Sequence, residues 1–153
     1  MYSIDEIMDM LDSANPISIQ EIGIELGKKI ESINVFFQPA NPKHVKNVWG
    51  NCAKILVSKP DDILVTYSKQ LLEWLQDLNW PGALMILDRL KVFSSNEIFL
   101  YVFKKCVEQA VACGENMWLD YLSELLENEN LKEELPHDIL KELEKRYRNW
   151  GKW

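Results

Sequence analysis

Apolar residues recur every three to four positions along most of the chain, the period of an amphipathic helix. The clearest stretch is LLEWLQDLNWPGALMILDRL, residues 71–90. Leu71, Trp74, Leu75 and Leu78 form one apolar stripe, and Trp80, Ala83, Leu84, Leu87 and Leu90 form a second. Between them, Asn79 is placed to cap the second helix through its side-chain oxygen. Pro81 then falls in the first turn, where a missing N–H costs nothing. Stripes joined by so short a corner must face each other or share a neighbour. The stretch therefore reads as a packing unit, with Trp80 expected to be mostly buried.

The same period places the other elements. Ser3 and Glu6 have capping-box spacing ahead of Ile4, Ile7, Met8 and Leu11, and Asn15-Pro16 stops that helix. Ser18 and Glu21 repeat the box before a helix whose stripe is Ile22, Leu26, Ile30 and Ile33. Gly23 and Gly27, four apart on that helix, allow another helix to approach closely. Residues 34–41 break the pattern. A helix restarts at Asn41-Pro42 with Val45, Val48, Trp49, Cys52, Ala53 and Leu56, and a turn at residues 59–62 leads into a helix over 63–78. Ser94, Ser95 and Asn96 precede a strongly apolar helix over 97–113 (Phe99, Phe103, Cys106, Ala110 and Cys113, widened by Ile98, Val102 and Val107), closed by Gly114. Trp118 to Leu126 is helical, residues 131–135 make a turn, and Pro136 opens a last helix with Leu140, Leu143, Tyr147 and Trp150. No stretch alternates as a strand does. The expected class is all-α, one domain of about seven or eight helices, with N-terminal helices over 1–40, a core over 41–127 and a C-terminal capping helix over 128–153.

Composition narrows the function classes. The 153 residues suit one domain with a substantial core. The longest apolar run falls far short of the roughly 20 residues that cross a bilayer, and the acidic N-terminus lacks the basic start of a secretory signal. A cytoplasmic location with no membrane association is the expectation. The net charge is −7, spread unevenly: residues 1–40 carry −5, residues 41–113 carry +2, residues 114–145 carry −7 and the last eight add three bases. An acidic chain without a basic patch repels a phosphate backbone, so no nucleic-acid partner is expected.

Helix starts at Asn47-Val48-Trp49, Asn79-Trp80 and Asn116-Met117-Trp118 look alike, with the tryptophans 31 and 38 residues apart. Such periods fit stacked helical hairpins; an irregular helical bundle is the alternative. The words NVWGNCAKIL (47–56) and LLEWLQDLNWPGA (71–83) resemble a bacterial family of HEAT-like helical hairpins, a domain of unknown function numbered five-zero-seven-one. The resemblance spans roughly residues 41–127. It implies a short HEAT-like α-solenoid and supplies no activity.

No catalytic constellation appears, and no cofactor or metal motif. Cys52, Cys106 and Cys113 lack CxxC spacing and read as small buried hydrophobes. His44 and His137 each sit near a proline at a helix start, which suits surface or capping roles. Asp61 and Asp62 are adjacent, so they read as helix-start acids. Trp49, Trp74, Trp80 and Trp118 fall in apolar stripes, while Trp150 and Trp153 suit a cap over the last hairpin. These features point to a non-enzymatic protein-binding module, an immunity or accessory protein, with a protein partner of basic character. A HEAT-like enzyme of the DNA glycosylase type is the alternative, opposed by the charge. Second helices of stacked hairpins commonly line the binding face. This puts Lys69, Glu73 and Gln76 beside Tyr101, Lys104, Lys105 and Glu108, and Glu73, Tyr101 and Glu108 are the candidate contacts. An ordinary solvated surface is the competing reading.

Overall fold

The computed structural model describes residues 1–148, so the expected cap by Trp150 and Trp153 lies outside the described residues. Within them the secondary structure is entirely helical. The order is α1 (Ile4–Met10), α2 (Ile17–Lys28), α3 (Lys46–Val57), α4 (Asp61–Leu64), α5 (Ser68–Glu73), α6 (Ala83–Lys91), α7 (Glu97–Ala112), α8 (Asn116–Leu122), α9 (Glu129–Glu134) and α10 (His137–Arg146). Single 3₁₀ turns fall at Ile33–Phe36, Val65–Tyr67, Trp74–Gln76 and Ser123–Glu127. Sequence neighbours pack as pairs, α1 on α2 and α7 on α8, while α3 packs on α6 and α5 on α7. One apolar core runs through them all, from Met8 to Leu143.

Capping chemistry explains several boundaries. Ser3 and Glu6 form the expected box, each side chain taking the other residue's N–H at 3.1 Å. Asn96 caps α7 by accepting from the N–H groups of Ile98 and Phe99. Gly114, at φ 68°, closes α7 in a Schellman turn: its N–H reaches Val111 O and that of Glu115 reaches Ala110 O.

Other expectations are corrected. Ser18 does not cap α2, which begins at Ile17 after Pro16. Helix α2 buries Gly23, Ile24 and Gly27 rather than Ile22, which is 48% exposed. The two glycines set this rotation, because a Cβ on Gly23 would lie 2.7 Å from Met10 Cβ and one on Gly27 would lie 2.3 Å from Ile55 Cδ1. The single helix expected over 63–78 is α4 and α5 interrupted and ended by 3₁₀ turns. Residues 131–135, read as a turn, belong mostly to α9, whose N-cap is Asn128. Ile98 is 57% exposed and Cys113 is exposed too, so neither widens the core.

At the central corner, Asn79 is not the cap. Gly82 is, at φ 83°, a left-handed conformation that glycine alone adopts without strain. A Cβ there would also meet Ala53 Cβ at 2.6 Å. Trp80 therefore sits in the corner instead of opening the helix. It is half-buried, edge-on to Trp49 with ring centroids 5.7 Å apart. Ile86 takes the inward place expected of Leu84, which is 55% exposed. The indole N–H groups of Trp49, Trp74 and Trp118 staple neighbouring segments by donating to the carbonyls of Pro39, Pro81 and Leu72.

Candidate functional site

The candidate site is a groove on the surface between α7 and α10. Helix α7 turns Phe99, Phe103, Cys106, Val107 and Ala110 inward, which leaves Tyr101, Lys104, Lys105, Glu108, Val111 and Ala112 on another side. Helix α10 starts after Pro136 and buries Ile139 and Leu143. It packs on α8 and the 3₁₀ turn at Ser123–Glu127 and is pinned there by charge. Arg146 donates to Asp120 at 3.2 Å, to the Asn116 side chain at 3.1 Å and to Glu142 at 2.9 Å. Arg148 donates to Glu127 at 2.7 Å, and the Tyr147 hydroxyl donates to the same carboxylate at 2.8 Å. The Arg148 guanidinium, followed by the Tyr147 hydroxyl, holds the Glu127 carboxyl down at about 2. Fastened to α8, α10 leaves a trough against α7.

Two contiguous depressions of about 340 Å³ each make up that trough. The first is lined by Tyr101, Lys104, Lys105, Glu108, Pro136, Asp138 and Ile139. The second shares Glu108, Asp138 and Ile139 and continues along Val107, Val111, Ala112 and Glu142. Low residue numbers on one wall face low numbers on the other, so α7 and α10 run in the same direction. Tyr101 is 59% exposed, with Lys105 Nζ 5.5 Å from its ring centroid. Lys105 also lies 3.9 Å from Glu108, with both side chains exposed, so that ion pair is weak and readily exchanged. Glu142 is held below the usual carboxylate range by Arg146, then by Lys145.

Of the three candidate contacts, the structure brings Tyr101 and Glu108 to one groove and leaves Glu73 out of it. Helices α5 and α7 do lie side by side, but Glu73 pairs with Lys69 at 3.2 Å on its own helix. It stands near Cys106, whose thiol is pushed up to about 11 by burial and then by the Glu73 charge. The sequence pattern of α7 alone does not point to the α10 wall. Its signal was present, since Pro136, Asp138 and Ile139 begin a helix with apolar positions on one side only.

Two further polar clusters tie distant segments together. His44 is buried rather than superficial, with Nε2 2.7 Å from the Asp9 carboxylate, and Lys43 reaches the same acid. Those hydrogen bonds, His44 first, lower the Asp9 carboxyl. Asp61 does more than start a helix. Although burial opposes its charge, bonds from Ser94 and Arg89 hold it ionised and tie the α4 start to the segment after α6. Among the described residues no group of three or more His, Cys, Asp and Glu side chains is placed to hold a metal ion, and no helix is long and apolar enough to cross a membrane.

Set against known proteins, residues 45–149 match the model of a family described as a domain of unknown function (DUF5071). No curated protein and no solved structure matches the chain.

Proposed function

Because the chain belongs to the family described as a domain of unknown function (DUF5071), whose description carries no activity, we propose its role from its own surface: a non-enzymatic protein-binding module, acting as an immunity or accessory protein in the bacterial cytoplasm. The carrying observation is the α7–α10 groove, where an exposed tyrosine and open carboxylates flank a floor of apolar side chains. Large aromatic anchors beside charged selectors suit a protein partner. The packing of α3 on α6 and of α5 on α7 supports reading the helices as hairpins stacked in HEAT-like fashion, with first helices on first and second on second. The acidic balance, −7 over the chain, favours a basic partner over nucleic acid.

Co-purification from the native cell, with the recovered protein then remade and titrated against the pure chain, tests this reading. A one-to-one complex weakened by Tyr101→Ala and Glu108→Lys supports it. Affinity unchanged in both, with the fold intact by circular dichroism, moves the partner to another face. Salt-sensitive sub-micromolar binding to duplex DNA would overturn the reading.

A further inference from the structure

The groove has an order along its length that says what kind of segment it takes. On α7, Tyr101, Lys104 and Lys105, Glu108, then Val111 and Ala112 recur at three- to four-residue spacing, so they form one ridge. Eleven residues of helix separate its ends, about 16 Å or three turns. At the Tyr101 end the charges are the ammonium groups of Lys104 and of Lys105, the latter only weakly paired with Glu108. In the middle they are the carboxylates of Glu108 and Asp138, one from each wall. At the far end lies the apolar surface of Val111 and Ala112, and Val107 and Ile139, both largely buried, supply the floor. Glu142 is not an open acceptor, because Arg146 and Lys145 already engage it at 2.9 and 3.0 Å.

Both walls are helices, so backbone donors and acceptors are spent internally along most of the groove, the first turn of α10 excepted, and no strand edge is on offer. Recognition therefore runs mainly through side chains, the mode by which an amphipathic helix lies in a groove. Resting on the protein-binding reading above, we infer that the α7–α10 groove takes an amphipathic helical segment of about three turns from another protein, polarised in charge. An acidic residue of that segment meets Lys104 and Lys105. A Lys or Arg bridges Glu108 and Asp138. An aliphatic residue covers Val107, Val111 and Ile139. A second copy of this chain is the less suitable occupant, since each copy carries −7 and the pair would repel.

The test is a display library of three-turn helical peptides selected on the full-length protein. Enriched peptides are expected to carry an acid, a base and an aliphatic residue in that order along one helix face, with the base in the middle. Affinity of a selected peptide should fall at least tenfold with Asp138→Lys and with Val111→Asp, and hold with Glu73→Lys. Lys104→Glu should shift selection toward peptides with a base in place of the acid. All four positions are solvent-accessible, and circular dichroism checks each fold. Binders that lack the pattern, or keep their affinity for the Asp138→Lys and Val111→Asp variants, overturn the groove assignment while leaving a binding module in place. A library without binders overturns it as well, and the co-purification then decides the wider reading alone. Light scattering that shows a dimer abolished by Val111→Asp would make the occupant a second copy and overturn the inference.

Discussion

Around the corner at residues 77–83, Trp49 and Trp74 meet edge-on with centroids 6.3 Å apart, and Trp80 leans on Trp49 from outside. Gly82 lets the chain pass Ala53 there at a distance no other residue permits. At the opposite end, Asp120, Ser123, Glu124 and Asn128 are all buried. Lys91, Arg146 and Arg148 reach the acids among them from α6, α10 and the chain beyond α10. The first region is secured by shape, and the second by ion pairs and hydrogen bonds. Tight apolar packing tolerates no change of volume but ignores salt and acid. A charged seam accepts changes of shape, yet depends on every carboxylate staying ionised and partnered.

Four measurements can break or sharpen that contrast. Trp74→Ala empties a wholly buried site and removes the indole bond to Pro81; a loss of about 3–5 kcal/mol in urea unfolding is expected, with the same loss at high salt. Arg146→Ala strands the largely buried Asp120, for an expected loss of about 2 kcal/mol that shrinks as salt rises. Equal salt dependence in the two variants would erase the distinction. Trp80→Ala removes only a half-buried ring, so a loss of about 1–2 kcal/mol is expected, well under the full cavity cost.

The smallest effect at neutral pH is that of Glu127→Gln, expected below about 1 kcal/mol because the cluster is partly exposed. Its signature is in acid. The Glu127 carboxyl titrates near 2 in the folded chain against an ordinary 4.5, so its contribution is complete above about pH 4.5 and is lost as pH falls toward 2. The Gln variant should flatten that limb of the stability profile, and an unchanged acid limb would deny the clasp its role.

The same contrast separates what the sequence discloses from what it hides. Apolar periodicity located most of the helices, though neither α9 nor the break between α4 and α5, because a buried stripe repeats on a fixed angle and leaves a trace in one dimension. Caps at Ser3, Asn96 and Gly114 were legible since their partners lie within a few residues. Failures arose where partners are distant in sequence. Helix α2 is rotated by what its glycines meet on α1 and α3, and His44 is drawn inside by Asp9, 35 residues away. Half of the candidate groove was readable for the same reason. Tyr101 and Glu108 follow from the pattern of α7 alone. The wall opposite depends on Arg146 and Arg148 finding acids 20 or more residues back in the chain, and periodicity does not encode that pairing. Glu73 lies outside this groove because adjacency of α5 and α7 does not fix which shoulder of each helix a side chain occupies.

The fates of the three cysteines give the molecule an intrinsic reporter. Burial pushes the Cys52 thiol up to about 12 and that of Cys106 up to about 11, so neither supplies much thiolate to an alkylating probe near neutral pH. Cys113 is exposed at the end of α7, next in sequence to groove residue Ala112. A maleimide fluorophore should therefore attach to the native chain at one position without any engineered substitution. It would sit at the end of α7, one residue beyond the groove's Ala112, close enough for the arrival of a helical segment to be sought as a change in emission.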